Sequence, residues 1–189
     1  MMEFLRKLNG IDLLLIALAV RTVYSAINSG FVAELIKNLG TLVAVFAAFH
    51  YYVKLAVLIG HFSKFPAPAT QTLSFAAIWL VVLFVFRYLR DGLGMVFTVQ
   101  TISVVDRWGA AIISVARFFL TASLFLFLFL LTGQPYMQHI TRASFSQKYV
   151  LPVAPEAYRK ITQGLVTKFY PDEKVNQAVF DQLVVPGKR

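Results

Sequence analysis

The sequence predicts an all-α membrane protein, a bundle of about four transmembrane helices followed by a short amphipathic helical tail. Composition is the first reason, because 58% of the 189 residues are hydrophobic and 14% are charged, whereas a soluble domain has about 25% charged residues. The second reason is that the apolar residues gather in four runs, close to the roughly 20 residues that a spanning helix needs. The third is that the composition becomes more polar after Gln134. We therefore divide the chain into a transmembrane domain, residues 1–133, and a cytoplasmic tail, residues 134–189.

The predicted spans cover residues 11–27, 31–53, 69–86 and 108–132. The first run has the basic prefix of a signal peptide, Arg6 and Lys7, but no small-residue cleavage site follows, so we expect the run to be retained. Gly133 and Pro135 end the last run.

The connection at residues 91–105 is too polar to cross a bilayer and too apolar for a free loop. Its apolar residues recur at helical spacing, which favours a short helix lying in the membrane interface. An ordinary surface connection also fits, and the sequence leaves both open.

The basic residues predict the orientation. Of the 18 Lys and Arg residues, 3 lie inside the spans, and if the chain crosses the membrane four times, 12 of the other 15 lie on the side that holds both termini. By the positive-inside rule, both termini are then cytoplasmic. A cluster of aromatic and basic residues supports this orientation, because such residues anchor helices at the headgroup boundary. The predicted anchors are His50, Tyr51, Tyr52 and Lys54.

Two amphipathic helices are predicted in the tail. Pro155 and Glu156 suit the first turn of one helix, and an apolar stripe that includes Ile161 and Leu165 follows. Pro171 opens the same scheme again. These helices either dock on the bilayer, the bundle or another subunit, or form a frayed basic tail.

Besides Asp12 at the head of the first span and His50 near the end of the second, four ionisable residues lie inside the predicted spans: Arg21, Glu34, Lys37 and Arg117. A central arginine costs about +2.5 to +3.5 kcal/mol on the insertion scale, whereas each Leu, Ile, Val or Phe contributes about −0.3 to −0.6. The fourth span outweighs this cost easily, but the first span outweighs Arg21 only narrowly. We therefore expect Arg21 to need a partner, and Glu34 lies at a depth only about 4 to 5 Å different in a hairpin that turns at residues 28–30.

The charges of the fourth span share one face with small residues. Asp106 and Arg117 are eleven residues apart, which is three helical turns plus about 20°. Ala110 and Ser114 lie on the same stripe and permit close helix approach. Arg117 should therefore point into a bundle and away from lipid. The intramembrane charges either neutralise one another as packing contacts or line a solute path, and both interpretations stay open.

Several short motifs recur in a fixed order along the chain. Their residues are Asp12, Gly30, Phe31, Glu34, Leu35, Asp106, Arg107 and Arg117, together with "HYY" at 50–52 and the serine- and proline-containing tract at 144–152. Their order and spacing resemble the colicin V production protein family, CvpA, whose members are four-span inner-membrane proteins of bacteria. That family has an aspartate at the head of the first helix, an R-G-F-x-x-E-L signature, and a fourth-helix pattern D-R-x-x-G-x-x-x-G-x-x-R-G, and the resemblance covers about residues 10–153.

The chain departs from the family pattern in two places. Ser29 stands where the family has an arginine, and the fourth-helix glycines appear here as Ala110, Ser114 and Phe118. The resemblance implies a protein of the bacterial inner membrane with a role in colicin V production or export or, more widely, in envelope physiology.

Several function classes are disfavoured by composition. The net charge of +9 is spread between and after apolar runs, so anionic lipid, and not nucleic acid, is the expected counter-charge. The chain has no cysteine, which excludes disulfides and cysteine metal sites. No catalytic constellation, nucleotide loop or metal-ligand spacing stands out, so we expect no enzyme, cofactor or metal.

Two functional interpretations follow. The first is an accessory membrane protein that self-associates or joins an envelope export system through its polar helix faces. The second is a small channel or transporter subunit in which the intramembrane charges line a wet route. A membrane-bound enzyme is a weaker third interpretation.

Overall fold

The computed structural model describes residues 9–62, 64–96, 104–144 and 146–183, and within these ranges the chain is helical with no strand. Four of the described helices are long and apolar enough to cross a membrane, which confirms the predicted all-α membrane class. They are α1 (Gly10–Ser29), α2 (Phe31–Phe62), α3 (Ala67–Val96) and α4 (Val104–Leu131). The shorter elements that follow are α5 (Pro135–Ala143), α6 (Ser146–Tyr149), α7 (Val153–Ile161), a π-helical turn (Thr162–Val166), α8 (Thr167–Phe169) and α9 (Gln177–Asp181).

All four long helices are longer than the spans predicted from hydropathy, α2 and α3 by the most. With 32 residues, α2 is about 48 Å long, whereas the hydrocarbon core is about 30 Å thick. The helices therefore continue past the predicted span ends at 53 and 86, because hydropathy falls where a helix leaves the hydrocarbon while its backbone hydrogen bonds continue. Residues 91–96 extend α3 and do not begin a separate interfacial helix. The rest of that connection, residues 97–103, lies outside the described residues.

The neighbours of each helix do not follow chain order. α2 and α4 pack together at the centre, α3 packs mainly on α2, and α1 packs mainly on α4. α1 and α2 make few contacts although only Gly30 separates them. Gly30 has a φ of 78°, a conformation that favours glycine. We call the end of the bundle where α1 meets α2 the hairpin end, and the opposite end, where the C-terminal helices pack, the tail end.

Aromatic side chains fill the middle of the bundle. The ring centroids of Phe49 and Phe127 are 4.8 Å apart, and Phe75 lies 5.4 Å from Phe49 and 5.3 Å from Phe127. All three side chains are fully buried. Edge and tilted contacts between such rings add about 0.5–1.5 kcal/mol per pair beyond burial. The cluster closes the centre of the bundle.

The tail packs on the bundle and shares its hydrophobic core. Of the two alternatives for the first predicted tail helix, docking and a frayed tail, the structure shows docking. Tyr158 and Val179 are fully buried in the same hydrophobic cluster as Phe49 and Phe127. The second predicted tail helix is wrong over 171–176 and is helical only at Gln177–Asp181. Asn176 explains the difference, because its side chain caps α9 at Ala178 N and also donates to Phe49 O, which requires a non-helical backbone there.

Candidate functional site

A cluster of three charged side chains lies near the hairpin end. The Glu34 side chain is fully buried, and its two oxygens face different cations. Arg117 Nη2 is 2.5 Å from Glu34 Oε1, and Lys37 Nζ is 3.1 Å from Oε2. Lys37 also donates to Ser29 Oγ over 2.8 Å. One buried carboxylate therefore holds two cations from two helices.

Local sequence explains why these groups meet. Glu34 and Lys37 are three residues apart on α2, so they share a helix face. On α4, Ala110 and Ser114 are fully buried on the stripe that leads to Arg117. Gly109 allows close approach as well, because a Cβ there would lie 2.7 Å from Cδ2 of Phe31. The small residues bring α4 close enough to α2 for the Arg117 guanidinium to reach Glu34.

A cavity of about 250 Å³ opens beside this cluster. It is bordered by residues from all four long helices, and half of its lining side chains are cationic. The cationic residues at its border are Lys37, Arg87, Arg90 and Arg117, and the others are Ser25, Thr41, Leu83 and Phe86. Charge of one sign thus collects in a partly apolar recess at the hairpin end, which we call the cationic pocket.

The described residues leave part of the Arg117 guanidinium without a partner. Its Nη2 forms a close ion pair with Glu34 Oε1. Its Nε is buried and has no hydrogen-bond partner among the described residues. Arginine carries five N–H donors, so Arg117 retains capacity to bind a further acceptor.

A second buried carboxylate, Asp12, lies at the tail end. Its side chain accepts hydrogen bonds from Ser144 Oγ at 2.7 Å and from Ser146 Oγ at 2.6 Å. It also accepts from the backbone N of Ser146 at 3.2 Å and of Asn9 at 3.1 Å. Asp12 thus caps the first turn of α1 and ties the α5–α6 segment to it.

A family model described as Colicin V production protein matches residues 11–155. The chain belongs to this family. The matched range contains both buried carboxylates and the residues that surround them, with the exception of Asn9. No curated protein and no solved structure matches the chain.

The structure relates the separate motifs of the colicin V production family to one another. The Gly30–Glu34 motif and the fourth-helix motif meet in the Glu34–Arg117 ion pair. The first-helix aspartate and the serine tract meet in the hydrogen bonds between Asp12 and Ser144. Ser29, where the family pattern has an arginine, accepts a hydrogen bond from Lys37. The motifs of this family member therefore form two contact sites, one at each end of the bundle.

The predicted pairing of Arg21 with Glu34 is wrong. Glu34 is occupied by Lys37 and Arg117, while Arg21 is exposed and makes no ion pair among the described residues. The reason is that α1 packs on α4 and not on its chain neighbour α2. At the start of α4, Asp106 is half-buried and Arg107 is exposed. Arg117 points into the bundle, as the small-residue stripe predicted.

The predicted anchors at 50–54 lie in two different environments, two of them exposed and two buried. Tyr51 and Lys54 are exposed, with the ammonium of Lys54 5.4 Å from the Tyr51 ring centre, as interfacial anchors require. His50 and Tyr52 are buried in protein, so their expected contact with the headgroup boundary is wrong. Tail residues cover this side of α2, and that coverage cannot be seen in the hydropathy of α2 alone.

His50 belongs to a polar network with the tail. Its Nδ1 is 3.1 Å from Tyr158 Oη, and its Nε2 is 3.0 Å from Glu173 Oε2. The backbone N of Asn176 donates to the same tyrosine oxygen over 2.9 Å. Burial raises the pKa of the Tyr158 hydroxyl, so it remains a proton donor at neutral pH. The network fixes the tail on α2.

Sequence reasoning missed two sets of residues. It ended the third span at residue 86 and so left Arg87 and Arg90 out of the intramembrane charges, whereas both lie on α3 and border the cationic pocket. The signal was their spacing of three, which places both on one helix face. It also missed Tyr158 and Glu173 as partners of His50, because nothing local in the sequence links positions more than 100 residues apart. Among the described residues, no cluster of three His, Cys, Asp or Glu side chains could hold a metal ion.

Proposed function

We propose that this member of the colicin V production family is an accessory protein of the bacterial inner membrane with both termini in the cytoplasm. It supports colicin V production or export, or maintenance of the cell envelope, by helix-to-helix assembly. Its partners are the lipid bilayer and either copies of itself or an envelope export system. It binds no nucleic acid and catalyses no reaction.

The observation that carries the assembly proposal is the position of Arg21. This residue lies eleven residues from the start of α1 and eight from its end, or about 16 and 12 Å along the axis. It is exposed on the isolated chain. A central arginine that faces lipid costs about 2.5–3.5 kcal/mol on the insertion scale. A carboxylate, carbonyl or hydroxyl of a second chain at this depth would remove that cost.

Native mass spectrometry of the full chain in nanodiscs tests this proposal. We expect assemblies larger than a monomer, or a retained partner protein, in the wild type and their loss in Arg21→Leu. The matched control is Arg107→Leu, because Arg107 is exposed at the start of α4, where the side chain can reach water. A wild-type chain that is monomeric and retains no partner, or equal loss in both variants, would contradict assembly through Arg21.

The orientation has its own experiment. The chain contains no native cysteine, so a single cysteine at Lys160, on the exposed side of α7, reports on one site. We expect a membrane-impermeant thiol reagent to label it only after the inner membrane is opened. Labelling from outside that membrane in intact cells would reverse the proposed orientation.

A second candidate function is a small channel or transporter subunit. The cationic pocket favours it, because Lys37 and Arg117 lie inside the predicted spans and border a cavity shared by four helices. The aromatic cluster of Phe49, Phe75 and Phe127 closes the centre of one chain. A route would therefore run between copies. In planar bilayers, Arg117→Leu should then change conductance or ion selectivity while the variant still assembles; failure of this variant to accumulate would assign Arg117 to packing.

A further inference from the structure

The cationic pocket carries more positive charge than its neighbouring carboxylates neutralise. Four cations border it, and the carboxylates paired with them are Glu34, shared by Lys37 and Arg117, and Asp91, paired with Arg90. Arg87 makes no ion pair with any described residue. Unneutralised charge in a partly apolar recess is costly unless an anion or water approaches it.

The donors of the pocket suit an acceptor with several oxygens. Arg117 has a buried Nε without a hydrogen-bond partner, and Arg87 has an exposed, unpaired guanidinium. Ser25 adds a hydroxyl that donates to no described residue. Planar guanidinium groups bind phosphate oxygens with paired N–H donors, and such charge-assisted bonds are about twice as strong as neutral ones.

The size and depth of the pocket limit what it can hold. Its volume of about 250 Å³ is several times the roughly 30 Å³ share of one water molecule, but it is below the range of about 300–1,000 Å³ that is typical for drug-sized ligands. Ser25 and Lys37 lie four and six residues from the ends of α1 and α2 that meet at Gly30. The pocket therefore lies about 6–9 Å along the helix axes from the hairpin turn, closer to that end of the bundle than Arg21 is.

From these observations we propose that the cationic pocket binds one phosphate-type oxyanion, either the headgroup phosphate of an anionic lipid or a free anion. Arg117 and Lys37 form its floor, where Glu34 holds both side chains in place. Arg87 and Arg90 form its mouth. Binding at this pocket does not depend on assembly through Arg21, because that residue does not border the cavity.

The experiment uses the full chain in a maltoside detergent, which carries no phosphate. In one arm, inorganic phosphate is titrated calorimetrically; in the other, phosphatidylglycerol is added and retained lipid is counted by native mass spectrometry. The test variant is Arg87→Gln, since Arg87 is exposed and its loss leaves no buried partner charge. We expect binding to weaken about tenfold, the loss of one charged hydrogen bond. Arg107→Gln, an equal change outside the pocket, is the matched control and should leave binding unchanged.

A second measurement needs no variant. Acetylation of Lys37, which is inside the pocket, should slow severalfold when phosphate or phosphatidylglycerol is present, whereas acetylation of the exposed Lys54 should not change. Effects with lipid alone identify a headgroup, and effects with inorganic phosphate in the absence of lipid identify a free anion as a ligand. No binding in either arm, equal weakening in both variants, or equal protection of Lys37 and Lys54 would overturn the proposal.

Discussion

Glu34 at the hairpin end and Asp12 at the tail end are both buried carboxylates, but the protein surrounds them differently. Asp12 accepts hydrogen bonds from two chain segments, from the backbone of Asn9 and from Ser144 and Ser146. Glu34 faces two cations, and the Nε of one of them, Arg117, has no hydrogen-bond partner among the described residues. The contacts of Asp12 therefore join the start of α1 to the α5–α6 segment, whereas those of Glu34 hold two cations at the border of the cationic pocket.

Glu34→Gln should produce the largest effect. It removes the counter-charge from Lys37 and Arg117, and loss of one partner of a buried ion pair costs about 3–5 kcal/mol. Reversible unfolding of the reconstituted protein measures the free energy. Glu156→Gln is the control, because the ion pair of Glu156 with Arg159 is exposed and should be worth less than about 1 kcal/mol. If both variants lost the same small amount of unfolding free energy, Glu34 would be in contact with water. The difference between Glu34 and Asp12 would then be smaller than the structure indicates.

Asp12→Ala should have a smaller and local effect. It leaves the donors of Ser144 and Ser146 without their shared acceptor, at about 1–3 kcal/mol for the unsatisfied buried groups. Hydrogen exchange should quicken in α6 and at the start of α1, while the middle of α2 keeps its protection. Asp91→Ala, at the hairpin end, should not alter exchange in α6. Uniform loss of protection in Asp12→Ala would show that this carboxylate supports the whole bundle, and not only the attachment of the tail.

Tyr158→Phe should have the smallest effect of the three. The ring remains buried, but the hydrogen bonds with His50 and Asn176 are lost, at about 1 kcal/mol. Exchange in α9 and around residues 173–176 should quicken about fivefold, and the Asp12 contacts should stay intact. Tyr136→Phe is an exposed control on α5. An unchanged α9 would mean that ring burial alone holds this part of the tail.

The spans and the motifs could be predicted because each depends on residues that are close in the chain. Four apolar runs of sufficient length predict four spanning helices, and helical periodicity places Arg117 on the same stripe as Ala110 and Ser114. The ends of the helices could not be predicted in this way, because hydropathy marks the hydrocarbon boundary and not the last hydrogen bond of a helix. Residues 171–176 show the same limit of local sequence patterns. The hydrogen bond from Asn176 to Phe49 O joins residues that are far apart in the chain, and it goes with a non-helical backbone before α9.

Arg21 and Arg117 show what tertiary structure alone decided. Both are arginines inside apolar runs. The sequence predicted that Arg21 pairs with Glu34 and that Arg117 points into the bundle, and only the second prediction agrees with the structure. The choice depended on α1 packing against α4 and not against α2. That order is a property of how four helix surfaces fit together, because in a bilayer apolar burial does not favour one apolar neighbour over another.

The sequence by itself determined that this chain is a four-span α-helical membrane protein of the colicin V production family, because hydropathy and motif order are local properties of the chain. Only the tertiary structure decided which charges meet. It joined Glu34 to Arg117, turned His50 and Tyr52 toward the tail, and brought Arg87 and Arg90 to the pocket of Lys37, because ion pairs and hydrogen bonds act over a few ångströms between residues that the chain separates by dozens of positions.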